Sequence, residues 1–152
     1  MRKAEREIRD QAEILAIMNE ALVCRLGLSD EGRPYVVPMN FGLGEKCLYL
    51  HCAGEGRKLD ILRKNNRVCF EMDLLRDIKQ SPTACGWGAR YKSVIGFGRA
   101  VLLENPSEKR AALDRIMEHY GAPAPFSYED DILAKTAVIR IDIDSITGKR
   151  RD

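Results

Sequence analysis

The apolar, alternating segments near the start of this chain are separated by connections too short for parallel pairing. That restricts the fold more than any other feature. In Leu22–Leu28 the residues Leu22, Cys24, Leu26 and Leu28 alternate with less apolar neighbours, which is a strand period. Ser29-Asp30-Glu31-Gly32-Arg33-Pro34 supplies a turn, Tyr35 to Phe41 a second strand, Gly42 to Glu45 a second turn, and Cys47 to His51 a third strand. Parallel strands need crossovers of about a dozen residues. A meander of antiparallel hairpins is expected instead.

The rest of the chain continues in the same style. A helix is expected from about Asp10 to Glu20, with Ile14, Ile17 and Met18 on one face. A second helix begins near Arg57 and ends around Asn65-Asn66, followed by a strand from Arg67 to Asp73. Leu74 to Thr83 reads as loop that can hold a helical turn. Tyr91 to Glu104 is the longest strand; Gly96 and Gly98 within it suit a strong bend or a close approach by another group. Pro106 opens a helix that runs to His119, with Ala111, Leu113, Ile116 and Met117 as packing positions, and a short turn lies near Glu129 to Leu133. The last strand sets Ile139, Ile141 and Ile143 against Arg140, Asp142 and Asp144. About six strands joined by tight turns, with helices at the edges, make a mainly β (α+β) chain forming a closed or partly closed antiparallel barrel.

Length and charge narrow the class. The 152 residues fit a single domain spanning 1–152, with 1–9 expected as a flexible N-terminal arm. Charge is spread evenly, 25 basic against 23 acidic residues, which differs from the basic stripe of a nucleic-acid binder. No apolar run is long enough for a bilayer, and the charged N-terminus has no signal-like apolar stretch. Five cysteines, an odd and scattered set, suit reduced thiols. A cytoplasmic protein without a membrane or nucleic-acid partner is expected.

The segment richest in chemistry is His51-Cys52-Ala53-Gly54-Glu55-Gly56-Arg57-Lys58. A strand ends in small residues and enters a helix that opens with two cations. Glycines allow close backbone approach, a helix N-terminus presents unpaired N–H groups, and Arg57 and Lys58 add charge. These features together suit a phosphate. A zinc set from Cys47, His51, Cys52 and Cys85 is disfavoured because Cys52 faces away from Cys47 and His51 on a strand, and the same opposition separates Cys52 from His51 as nucleophile and base. Gly96-Phe97-Gly98 lies inside strand sequence and is not a dinucleotide fingerprint. Two further pieces add to the phosphate cradle. Pro38 within Val36-Val37-Pro38-Met39-Asn40-Phe41 marks an edge strand or a strand lying against a ligand, and Asn40 offers a donor and an acceptor. Arg90-Tyr91-Lys92-Ser93-Val94 brings cations, a phenol and a hydroxyl to the start of the long strand.

In order and spacing, these pieces resemble the flavin-binding split-barrel family that includes pyridoxamine 5′-phosphate oxidase, and within it the nitroimidazole-resistance branch. The likeness rests on Val37-Pro38-Met39-Asn40-Phe41, His51-Cys52-Ala53 with Gly56-Arg57-Lys58, Tyr91 through Gly98, and Ile146-Thr147-Gly148-Lys149. It implies a six-stranded antiparallel split β-barrel with peripheral helices that binds FMN at a homodimer interface. On that likeness Arg57 and Lys58 hold the phosphate with Ser93 or Tyr91, and Val94 belongs to the same cofactor-binding run. Val37, Pro38, Met39 and Asn40 flank the flavin ring; His51, Cys52 and Ala53 lie along ribityl chain and ring. His51 is the expected catalytic residue beside a small aromatic substrate, Trp87 a lid reaching across the dimer, and Arg90 or Lys92 the cation near the reduced ring. The tail Lys149-Arg150-Arg151-Asp152 lacks the Arg-x-His type segment of the vitamin-B6 oxidases. The expected activity is therefore FMN-dependent reduction of a small nitroaromatic or quinone-like acceptor. The alternatives are a haem-binding or haem-degrading split barrel and a non-enzymatic ligand-binding module.

Overall fold

The structure is a computed structural model and describes residues 3–152; Met1 and Arg2, at the head of the expected arm, lie outside the described residues. Its strands are β1 (Glu7–Ile8), β2 (Cys24–Asp30), β3 (Arg33–Met39), β4 (Phe41–Gly44), β5 (Cys47–Ala53), β6 (Arg67–Lys79), β7 (Gly88–Leu103) and β8 (Thr136–Arg151). The α-helices are α1 (Gln11–Glu20), α2 (Arg57–Lys64), α3 (Pro106–His119) and α4 (Asp130–Lys135). All strand pairs are antiparallel, in the order β3-β2-β6-β7-β8-β5-β4, with β1 added to β8. The arm is anchored at its end: Glu7–Ile8 pairs with Gly148 and Lys149, and Ile8 is buried.

The two ends of that order, β3 and β4, are consecutive in the chain with only Asn40 between them. Across one residue the Cα atoms stand at most about 7 Å apart. The sheet must therefore curl until its edges meet at Asn40, although β3 and β4 do not pair and the ladder is not closed. This is a split barrel, reached by a route the short turns did not reveal. The expected strand Tyr35–Phe41 and turn Gly42–Glu45 are corrected: the chain leaves β3 at Met39 and re-enters the sheet as β4, and the tight turn is Glu45-Lys46. The meander therefore breaks into two hairpins at opposite ends of the sheet, and among the described residues the strand count rises from about six to eight.

The interior is filled from both sides of the split. Leu26, Phe41, Leu48, Leu50, Phe70, Met72, Val94, Ile139 and Ile141 are fully buried. Gly96 is required there, because a Cβ would come within 2.1 Å of the Phe70 ring. A Cβ on Gly98 would strike the Asp142 carbonyl, and at that point Asp144 is the extra residue of a bulge, between Ser145 opposite Phe97 and Ile143 opposite Gly98. β6 runs on to Lys79 where a loop was expected from Leu74. That overhang pairs with β7 and is open to solvent, so no apolar alternation marks it.

Helices close what the sheet leaves open. α1 is capped by Asp10, which accepts from the Ala12 N–H, and buries Ile14, Ile17 and Met18 as expected. Glu13 ties it down by accepting from Lys92 at 2.9 Å and Arg150 at 2.8 Å. α3 buries Lys109, Ala112, Leu113 and Ile116; Ala111 and Met117, expected to pack, are exposed. The helix sits so close to β4 that a Cβ on Gly42 would lie 2.5 Å from its backbone at Arg115 and Ile116. Just past α3, the Tyr120 hydroxyl accepts from the Phe41 N–H at 3.2 Å and donates to the Leu22 carbonyl at 2.8 Å. It satisfies backbone groups at the split that no strand reaches.

Tyr120→Phe removes both hydrogen bonds and is expected to lower unfolding free energy by about 0.5–1.5 kcal/mol in urea titrations. The Lys92 hydrogen bond, with Arg150 adding to it, holds the Glu13 carboxyl below its ordinary 4.5 despite some desolvation. A depressed carboxylate gives stability above its unfolded pKa and loses it as pH falls through the folded value. Glu13→Gln is therefore expected to narrow the stability gap between about pH 7 and about pH 3.5, measured by the same titrations.

Candidate functional site

β5 delivers the first set of candidate residues to one corner of the barrel. Leu48 and Leu50 point into the core, His51 is exposed and Cys52 is partly buried against the core. Gly54 passes 3.0 Å, measured from a notional Cβ, from the Lys135 carbonyl, so the turn after β5 hugs the start of β8. Gly56 then takes φ 125°, a conformation that favours glycine, and stands at the N-cap of α2. No side chain caps this end. Leu59, Ile61 and Leu62 seat the helix in the core, so its first turn is fixed with its N–H groups facing out beside Arg57 and Lys58.

The two cations have different surroundings. The Arg57 guanidinium lies 4.9 Å from the centre of the Tyr35 ring, and its Nη2 is 3.6 Å from Asp30 Oδ2, so two residues of the β2–β3 hairpin orient it. Lys58 faces β5 instead. Desolvation lowers the His51 imidazole below its ordinary 6.5 and the Lys58 charge adds to that. Desolvation raises the Cys52 thiol, opposed by the charge and hydrogen bond of Lys58.

β3 forms the neighbouring wall. It is an edge strand, as Pro38 required. Pro38 and Asn40 are exposed, Val37 packs against the core, and Met39 is buried, so the Met39 side chain serves the core and leaves its backbone for a ligand. Phe41 pairs with Leu50, which places Asn40, one residue earlier, beside His51, one residue later. Val37, Pro38, Met39, Asn40, His51, Cys52, Ala53, Arg57 and Lys58 thus gather around the split.

The second set does not join them within one chain. Val138 pairs with His51, whereas Ser93 pairs with Lys149, eleven residues further along β8 and about 35 Å away by strand rise. Tyr91 and Ser93 lie on the outer face of β7, with the Lys149 ammonium 5.8 Å from the Tyr91 ring. Val94 is fully buried, so its side chain cannot line a site. Trp87 is half exposed at the end of the β6–β7 ribbon, its indole N–H donating to the Ser81 carbonyl at 2.7 Å. Arg90 is paired with Asp77 and Lys92 with Glu13. Asp30 and Tyr35 were missed because their contact with Arg57 bridges more than twenty residues of sequence and has no local signature.

One row of the outer face that carries Tyr91 and Ser93 is without charge, between rows that hold Arg25 and Glu71 on one side and Arg67 and Arg99 on the other. Val36, Gly27, Cys69, Phe97 and Ser145 stand in register across β3, β2, β6, β7 and β8. Within this row Val36 is 63% and Phe97 55% exposed, and Ile95 beside them is 44% exposed.

The family model for pyridoxamine 5′-phosphate oxidase matches residues 10–150. The chain belongs to that family. A Bacteroides thetaiotaomicron protein described as a candidate 5-nitroimidazole antibiotic resistance protein is 39% identical, with TM-score 0.85, covering 94% of this chain and 85% of its own. The flavocytochrome Anf3 of Azotobacter vinelandii shares the fold at 22% identity and TM-score 0.85, covering 100% of this chain and 72% of its own. An FAD and heme binding protein of Mycobacterium smegmatis does so at 17% identity and TM-score 0.88, covering 97% and 74%. No curated protein matches. Among the described residues no helix is long and apolar enough to cross a membrane.

For this family member the His51 environment gives a direct test. The imidazole is expected to titrate below 6.5 in proton NMR, and Lys58→Gln to move its midpoint part of the way back up, since desolvation remains.

Proposed function

We propose that this chain is a flavoprotein holding FMN at the split of its barrel, and that it reduces a small nitroaromatic or quinone-like acceptor. The observation that carries the reading is the uncapped N-terminus of α2 with Arg57 oriented on one side and Lys58 on the other. Free N–H groups, a helix dipole and two cations are what a terminal phosphate requires. The exposed backbone of β3 at Pro38 and the amide of Asn40 suit the edge of a flat, amide-bearing ring. When bound, a flavin supplies electron transfer between a donor and an acceptor.

The chain's own part is placement and hydrogen bonding. Desolvation and the Lys58 charge bias the His51 imidazole further toward its neutral form, whose N–H can donate to an acceptor oxygen as charge develops there. The likeness to the 39% identical resistance protein supports a nitro group as that acceptor. A homodimer is the assembly that suits the site: the uncharged row through Phe97 and Val36 offers a face for a second copy, which would carry its Tyr91, Ser93 and Trp87 toward Arg57. Five free thiols suit a reducing compartment such as the cytoplasm.

The purified protein is expected to show a flavin absorption spectrum and to release FMN on denaturation, identified by mass spectrometry. A Soret band in its place would replace the reading with haem binding, and absence of either chromophore would favour a ligand-binding module. His51→Ala is expected to keep the flavin and to slow nitroreduction by about a hundredfold. Unchanged turnover removes His51 from the chemistry.

A further inference from the structure

We infer that Asp30 and Tyr35 set how tightly the phosphate end binds: Tyr35 positions the Arg57 guanidinium, and Asp30 tempers its charge so that the phosphate is held exchangeably. The inference rests on the flavin reading above and concerns two residues that no motif of the sequence marks.

The hairpin that carries both residues is rigid. Asp30 pairs with Arg33 across a two-residue turn in which Glu31 and Gly32 take φ 53° and 89°, the twist that suits a tight hairpin. Tyr35 pairs with Leu28 further along the same ladder and packs against the core. Arg57 therefore rests on a fixed ring, while α2 fixes its Cα from the other side. Ring and guanidinium at 4.9 Å are within the range of a cation–π contact. The carboxylate is less closely engaged: one oxygen stands 3.6 Å from one nitrogen, so Asp30 contributes charge more than geometry. A phosphomonoester arriving at Arg57 carries a charge of about −1.5 to −2 at pH 7. It meets two cations and one anion rather than two cations alone. With physiological screening, that repulsion is expected to change affinity by about threefold.

The experiment compares FMN with riboflavin, which lacks the phosphate, on apo-protein prepared by flavin removal, using fluorescence quenching. Asp30→Asn is expected to bind FMN about threefold more tightly with riboflavin unchanged, and the gain is expected to vanish in about 1 M salt. Tyr35→Leu is expected to weaken FMN about threefold, again with riboflavin unchanged, at a melting temperature that shows the barrel intact. If the wild type binds FMN and riboflavin equally, the phosphate reading itself falls and takes this inference with it. If the wild type prefers FMN but Asp30→Asn leaves FMN affinity unchanged or weaker, only the role of Asp30 is overturned. If Tyr35→Leu weakens both ligands alike, the ring is structural and does not position Arg57.

Discussion

The structure depends on one covalent constraint: Asn40 joins the two unpaired edges of a single antiparallel sheet. An open sheet of this order would leave β3 and β4 far apart, yet one residue has to span them. Curling resolves the conflict and forms an enclosed apolar interior. The curl also leaves a seam without ladder hydrogen bonds. The chain fills the seam with α3 and with the Tyr120 hydroxyl, which serves the Phe41 N–H and the Leu22 carbonyl together. Helix and seam fit only because Gly42 has no side chain.

The candidate site exists because of that seam. β3 ends beside β5, so the proline-bearing edge, Asn40 and His51 meet there, and α2 starts just beyond. An unpaired edge usually invites association, and this one is managed by Pro34 and Pro38 and by its position at the split. The same separation keeps Tyr91 and Ser93 from the phosphate cradle of their own chain. Residues that look like one motif set in sequence belong to two places in the fold, and the uncharged row through Phe97 lies on the same face as the second of them.

Much of the fold was legible where burial is one-sided. α1, α3 and the start of β8 show their periods plainly because one face meets the core and the other meets water. The extension of β6 beyond Asp73 was not legible, since a ribbon open to solvent carries Asp77, Arg76 and Lys79 with no alternation to read. Ala111 and Met117 were misplaced because they lie off the stripe Lys109, Ala112, Leu113 and Ile116, whose i, i+3, i+4, i+7 spacing is the face that α3 buries. In the site, the paired cations and the glycines before them were visible as a local string. Asp30 and Tyr35 were not, because their value lies in a contact between the β2–β3 hairpin and α2, far apart in sequence.

By itself, the sequence determined antiparallel pairing, a proline in β3 that cannot donate to a ladder, the glycine-flanked entry to α2 and the two cations at its start. Each follows from a local rule: a turn too short to cross over, a missing amide hydrogen, a missing Cβ, adjacent charges. Only the tertiary structure decided that the sheet curls through Asn40, that Arg57 leans on Tyr35 while Lys58 turns to His51 and Cys52, and that Ser93 stands remote from both. Those outcomes depend on strand order, which is set by packing the whole apolar set at once and cannot be read from any single segment.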